Sequence, residues 1–222
     1  MIRVAAVTRR RTLAGAIAAT AGLAVAEARA QEKMPRRPIP ATGELLPVIG
    51  LGSSKGVAEI GKGAEPLTEV LKTLVAQGGS VVDTWPRNAD DDAKFGAVVS
   101  DPALKDRLFL TTKIDRMGRE AGLAQVRDSL RAYGRKTIDL AQIFSLTDLD
   151  THWPTLKDLK AANEARYIGV TVSDYGRYEA LERFLTREKP DFIQVNYSVT
   201  ERRAAERILP LARDRGVAVL VN

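Results

Sequence analysis

Beginning at Val48 and running to Asn222, short runs rich in β-branched residues alternate with longer stretches whose apolar residues recur every three or four positions. Residues 48–53, 80–85, 108–114, 138–144, 167–173, 192–198 and 217–222 read as strands, and 66–77, 123–135, 154–163, 178–189 and 204–215 read as amphipathic helices. Asp90, Asp91 and Asp92 open a further helix, where negative charge suits the positive end of the helix dipole better than it suits a metal. Strand starts fall about 25–30 residues apart, the spacing of βα units, so an α/β fold on a parallel sheet is expected. An open doubly wound sheet and an eight-stranded barrel both satisfy this register. Polar residues at the ends of successive strands, Ser53, Asp83, Lys113, Thr171 and Gln194, would share one face of a barrel, the face on which catalytic groups gather. Gly50, Gly52 and Gly56 imitate a dinucleotide loop, but Lys55 stands where the third glycine is required.

The first thirty residues follow another pattern. Thr8-Arg9-Arg10-Arg11-Thr12-Leu13 leads into an apolar run from Leu13 to Val25, shorter than the roughly 20 residues that span a bilayer. Ala28-Arg29-Ala30 supplies a cleavage pattern, with Gln31 as the mature start. Residues 1–30 are therefore expected to be a signal peptide of twin-arginine type, which exports an already folded chain to the periplasm and leaves no membrane span after its removal. Charge and proline across residues 32–40 suggest a linker.

Composition alters this picture in two places. Lys and Arg number 34 against 28 acids, a formal +6, yet residues 1–30 hold +4 of that charge. The remainder carries no basic stripe interleaved with aromatics, so no nucleic-acid partner is expected. The chain has no cysteine, which excludes disulfides and thiolate metal sites.

Five words of the sequence then carry a resemblance. Ile39-Pro40-Ala41-Thr42-Gly43 leading to Pro47-Val48-Ile49-Gly50-Leu51-Gly52, Val82-Asp83-Thr84, Thr111-Thr112-Lys113, Tyr167-Ile168-Gly169-Val170-Thr171 and Gln194-Val195-Asn196-Tyr197-Ser198 stand in the order found in aldo/keto reductases. The chain from about Arg37 to Asn222 resembles most of such a protein. This shortens the linker to residues 31–36 and implies an incomplete TIM-type (β/α)8 barrel over 37–222, with seven barrel strands. It also implies NADPH lying over the C-terminal strand ends, reduction of an aldehyde or ketone, and a tetrad of Asp, Tyr, Lys and His. Hydride arriving at a carbonyl carbon leaves charge on oxygen, so a proton donor must stand within hydrogen-bond reach.

By this resemblance Asp83 is the tetrad aspartate and Lys113 its lysine, while Asn88 stands at the tyrosine position and Phe144 at the histidine position. Asn88 cannot donate a proton as an acid, and Phe144 has no polar atom. Gly52, Ser53, Thr171 and Gln194 occupy cofactor-binding positions, the last two at the nicotinamide carboxamide, and Val172 replaces a polar neighbour. The family's ring on the nicotinamide and its adenosine-phosphate loop follow the seventh strand, beyond Asn222, so a weak grip on NADPH is expected. The expected function is an aldo/keto reductase-like oxidoreductase domain of weak or lost turnover. One alternative is a non-catalytic periplasmic module that holds a small ligand or partner at the barrel mouth. Another is residual catalysis by Asp83 and Lys113, since losing a general acid costs roughly 10²–10⁴-fold. Strand edges about 10 Å apart would also favour self-association.

Simpler roles compete at several positions. Asp83 and Lys113 could form a structural ion pair, and Trp85 could line the pocket or pack under a loop. His152, Tyr133 and Tyr178 are expected to pack, whereas Tyr175 and Tyr197 stand near the mouth as substitute donors.

Overall fold

The computed structural model describes residues 34–52 and 60–222. The expected leader and Ser53 lie outside the described residues. A hairpin pairs β1 (Arg36–Pro38) antiparallel with β2 (Leu45–Pro47). Seven parallel strands follow: β3 (Gly50–Leu51), β4 (Val81–Val82), β5 (Phe109–Ile114), β6 (Ile138–Phe144), β7 (Ala165–Val172), β8 (Phe192–Val195) and β9 (Ala218–Val221). Between them run α1 (Glu65–Ala76), α2 (Ala89–Val99), α3 (Arg119–Ala132), α4 (Leu149–Ala161), α5 (Tyr178–Arg187) and α6 (Ile208–Asp214).

Strand order decides between the two architectures. A doubly wound sheet reverses its order at a switch point, whereas β3 to β9 here lie in strict sequence. The result is a seven-strand parallel open half-barrel, like part of a TIM barrel. Its curl brings Gln194 on β8 within 3.0 Å of Asp83, which follows β4 on the far side of the sheet.

Several elements depart from the sequence reading: β3, β4 and β8 are shorter than the expected 48–53, 80–85 and 192–198, and α3 begins at Arg119 rather than at 123. β1 begins at Arg36, so part of the proposed linker is paired with Leu45–Pro47. Helix α4 begins at Leu149 rather than at Pro154, which stands inside the helix and cannot supply an i→i−4 donor there. Helix α6 is short, and a 3-10 turn over Arg203–Ala205 takes the start of the expected stretch.

Two apolar shells hold the fold. Outside the sheet, residues such as Leu71, Phe95, Val126, Leu156 and Leu181 from the helices pack on Leu110, Ile143, Val170 and Ile193. Inside it, Val81, Phe109, Leu140, Tyr167 and Phe192 converge on Ile39 of the hairpin. The rings of Tyr167 and Phe192 meet edge to face at 5.5 Å, and Phe109 stands 6.0 Å from Tyr167. Two glycines permit close approach. A Cβ on Gly169 would lie 2.2 Å from the Phe192 carbonyl oxygen between β7 and β8, and one on Gly96 would lie 1.7 Å from the Ala132 carbonyl oxygen between α2 and α3. Among the described residues, no helix is long and apolar enough to cross a membrane.

Candidate active site

Successive side chains alternate between the two faces of a strand, so residues two apart climb the inner face together. Above Phe109 stand Thr111 and Lys113; above Leu140 stand Gln142 and Phe144; above Phe192 stands Gln194. These polar positions gather at the C-terminal strand ends, as a parallel barrel requires.

Asp83 and Lys113 meet there. The Lys113 ammonium donates to Asp83 Oδ1 in a close ion pair. Thr111 Oγ1 donates to the same oxygen at 2.7 Å, and Gln194 Nε2 donates to Oδ2 at 3.0 Å. Lys113 also reaches the Thr84 carbonyl at 3.3 Å. Lys113 is only 3% exposed, and this burial pulls its ammonium below the ordinary lysine value against the attraction of Asp83. For Asp83, burial pushes the carboxyl up, but the Lys113 charge and the hydrogen bonds from Lys113, Gln194 and Thr111 hold it below the ordinary range.

Asn88 has a local task. It caps α2: its Oδ1 accepts from the Asp91 amide at 2.9 Å, and its Nδ2 donates to the Asp91 carboxylate at 2.8 Å. The three aspartates occupy the first turn of α2, and Asp92 accepts from the Arg87 amide at 3.1 Å. A capping amide and helix-end charges thus account for this segment.

Phe144 packs against Trp85, with ring centroids 4.0 Å apart. The indole is fixed from the other side by donating to Asp115 Oδ2 at 3.0 Å, and Asp115 is in turn held by Gln125 at 2.7 Å. Trp85 thus packs on Phe144 and under the loop after β5, the second of the two roles considered for it. The backbone just beyond Phe144 is strained, with Ser145, Leu146 and Asp148 all at positive φ.

Among the positions expected to meet a cofactor, Gln194 and Thr171 are nearly buried, and Gly52 has open space where a side chain would project. Gln194 Nε2 is shared between Asp83 and Asn222, the latter at 2.7 Å, while its Oε1 is buried without a partner. Asn222 continues to Asn196 Oδ1 at 3.1 Å, and Asn196 to the Ser173 carbonyl at 3.0 Å. This amide chain was not singled out from sequence, although the asparagines lie at the ends of expected strands. Gln142 was also passed over: it is fully buried, and both its amide oxygen and nitrogen lack a partner.

The substitute donors point their chemistry elsewhere. Tyr197 Oη accepts from Arg202 at 2.8 Å, and the Tyr175 ring lies between Tyr178 and the Arg203 guanidinium. Tyr133 packs edge to face on Phe95, and burial pushes its phenol up to about 12. His152 is fully buried, with Nε2 2.6 Å from the Arg116 carbonyl and Cε1 in the space left by Gly122. Among the described residues, no three His, Cys, Asp or Glu side chains converge as a metal site would require.

Residues 55–222 match the model of the aldo/keto reductase family. The chain belongs to that family. A curated relative is the aldo-keto reductase YhdN of Bacillus subtilis, 26% identical, with the match covering 78% of this chain and 56% of YhdN. An aldo-keto reductase of Bacillus halodurans in its holo form superposes with a TM-score of 0.71 at 20% identity, over 85% of this chain and 65% of that one. An aldo-keto reductase of Klebsiella pneumoniae solved in complex with NADPH gives 0.70 at 20% identity, over 84% and 67%. The chain thus spans a little over half of YhdN and about two thirds of the two solved relatives, whose likeness shows the fold.

Proposed function

We propose that this chain is an NADPH-linked aldo/keto reductase domain acting on small aldehydes or ketones, with turnover held far below that of a full tetrad. The observation that carries the reading is the Asp83–Lys113 pair at the strand ends, its lysine buried and its aspartate braced by Thr111 and Gln194. When bound, NADPH supplies a hydride to the carbonyl carbon. The buried, partnerless Oε1 of Gln194 fits an amide donor such as the nicotinamide carboxamide, and Thr171 stands beside it on β7. Lys113 offers the positive charge that stabilises negative charge growing on a carbonyl oxygen. Asp83 holds Lys113 in place, and the Trp85–Phe144 wall excludes water from one side of the mouth. No acidic hydroxyl is supplied by Asn88, whose amide is occupied in capping α2.

Fluorescence titration of the full chain with NADPH, followed by single-turnover reduction of a small aldehyde, tests this. Saturable binding with slow turnover that Lys113→Met abolishes is expected; absence of saturable binding would sink the reading. Asn88→Tyr with Phe144→His should raise the single-turnover rate by about 10²-fold, the lower range for a restored general acid. A specific observation favours a second reading, a ligand-holding module without turnover: Gln194 Nε2 is already committed to Asp83 and Asn222. Binding without any turnover in both the parent and the double variant would select it.

Residues 1–30 are proposed to export the folded chain to the periplasm through the twin-arginine route, on the strength of Arg9 and Arg10 before the apolar run. Cell fractionation with Arg9→Lys and Arg10→Lys together should retain the protein in the cytoplasm; unchanged export would exclude this route.

A further inference from the structure

At the opposite end of the strands from Asp83 and Lys113 lies a cleft of about 500 Å³, between the hairpin, the turn entering β4 and the start of β5. Four guanidiniums face it, those of Arg36, Arg107, Arg135 and Arg166, against three carboxylates. Two of those carboxylates are committed. Glu44 and Asp139 both pair with Arg166, Glu44 also accepts from the Tyr167 hydroxyl, and Asp139 accepts from the Leu110 amide. Arg135 donates to the Lys105 carbonyl and stands 3.9 Å from Asp139. These contacts give Arg135 and Arg166 structural partners.

Arg36 and Arg107 are different. Neither has a carboxylate partner among the described residues. Their guanidiniums reach only backbone oxygens, Gly78 at 3.4 Å and Val75 at 3.5 Å, the outer limit of a hydrogen bond. Val75 lies in the last turn of α1 and Gly78 just past it, so both cations sit at the C-terminal end of that helix. The negative end of a helix dipole attracts a cation there, but that pull is screened and leaves both guanidinium forks unfilled. Asp106, the third acid, offsets part of the charge without removing the surplus. A planar guanidinium matches carboxylate or phosphate oxygens in pairs, and the cleft is of the size that holds small organic ligands. Phe109 and Leu46 add apolar surface to the wall.

The geometry points to a second binding site in this cleft, taking a small organic anion with at least two oxyanion groups and gripping it between Arg36 and Arg107. It is separate from the mouth: Phe109 and Lys113 stand four residues apart on β5, about 13 Å along the strand.

Calorimetric titration of the full chain with pyrophosphate and with citrate, in about 150 mM chloride to screen diffuse attraction, tests the site. One saturable site is expected for at least one anion, and which anion binds assigns phosphate or carboxylate as the source. Arg36→Gln and Arg107→Gln should each weaken binding roughly tenfold or more, and Asp106→Asn should tighten it. Both arginines are exposed and hold no ion pair among the described residues, so a thermal melt of each variant should match the parent and rule out unfolding as the cause. The proposal is overturned if neither anion saturates, or if binding persists unchanged in the Arg36→Gln, Arg107→Gln double variant.

Discussion

The lower half of the half-barrel interior, next to the hairpin, and the upper half, next to Asp83, are built from the same strands two to four residues further along, yet opposite forces hold them. Below, Val81, Phe109, Leu140, Tyr167 and Phe192 close over Ile39 with no charge among them. Above, Lys113, Gln142 and Gln194 are almost as deeply enclosed but polar, beside the half-buried Asp83, and three of their amide atoms have no partner. Apolar burial stabilises the lower half in proportion to area. In the upper half, removing charge and amide groups from water costs free energy that their mutual bonds offset only in part. The lower half therefore keeps the fold, and the upper half keeps chemistry the fold would be more stable without.

This contrast can be broken by mutation. Phe192→Ala should have the largest effect, about 4 kcal/mol by loss of burial and creation of a cavity; a urea midpoint shift worth under about 1 kcal/mol would refute the assignment of stability to the lower half. Lys113→Met should destabilise by about 3 kcal/mol because it strands a buried carboxylate, whereas Lys113→Met with Asp83→Leu should recover most of that loss.

The same pair gives a pH signature. The parent's Asp83 lies below its ordinary pKa of about 3.9. Its contribution is therefore complete above that value and is lost as the pH falls through the lower folded pKa. In Lys113→Met the unpaired carboxyl is raised instead, so the penalty should shrink on acidification. A gap between parent and variant that is constant from pH 7 to about pH 4 would contradict this sign.

Smaller changes sharpen the picture. Gln142→Leu should stabilise by about 1–2 kcal/mol, since it removes an amide buried without partners; a loss of stability in a denaturant melt would mean that the amide is satisfied. Asn88→Ala should cost about 1 kcal/mol through loss of the α2 cap and Asn88→Ser, which keeps a capping oxygen without adding charge beside Asp91, almost nothing. Equal losses in the two variants would argue for a role at the mouth instead.

Much of the fold was legible because it is local. Short β-branched runs alternating with amphipathic stretches announce the strands and helices, and β6 falls on its expected bounds of 138–144. Proline misled at α4, because a proline at a helix start and one tolerated in its second turn look alike in sequence. In the site, the Asp83 and Lys113 pairing was legible from family words and the start of α2 from its three aspartates, whereas the capping role of Asn88 appears only in the structure. The amides of Gln142, Asn196 and Asn222 were not, since nothing in their local spacing tells a buried polar contact from a strand end.

The sequence by itself determined the βα register, the family and the identity of the charged pair, because each rests on spacing within a few dozen residues or on short words kept in order. Only the tertiary structure decided that Gln194 braces Asp83 from across 111 residues, that Trp85 lies on Phe144, and that Arg36 and Arg107 face one cleft. Those contacts depend on how far the sheet curls and where the hairpin closes beneath it, which the packing of the whole interior sets and no local pattern encodes.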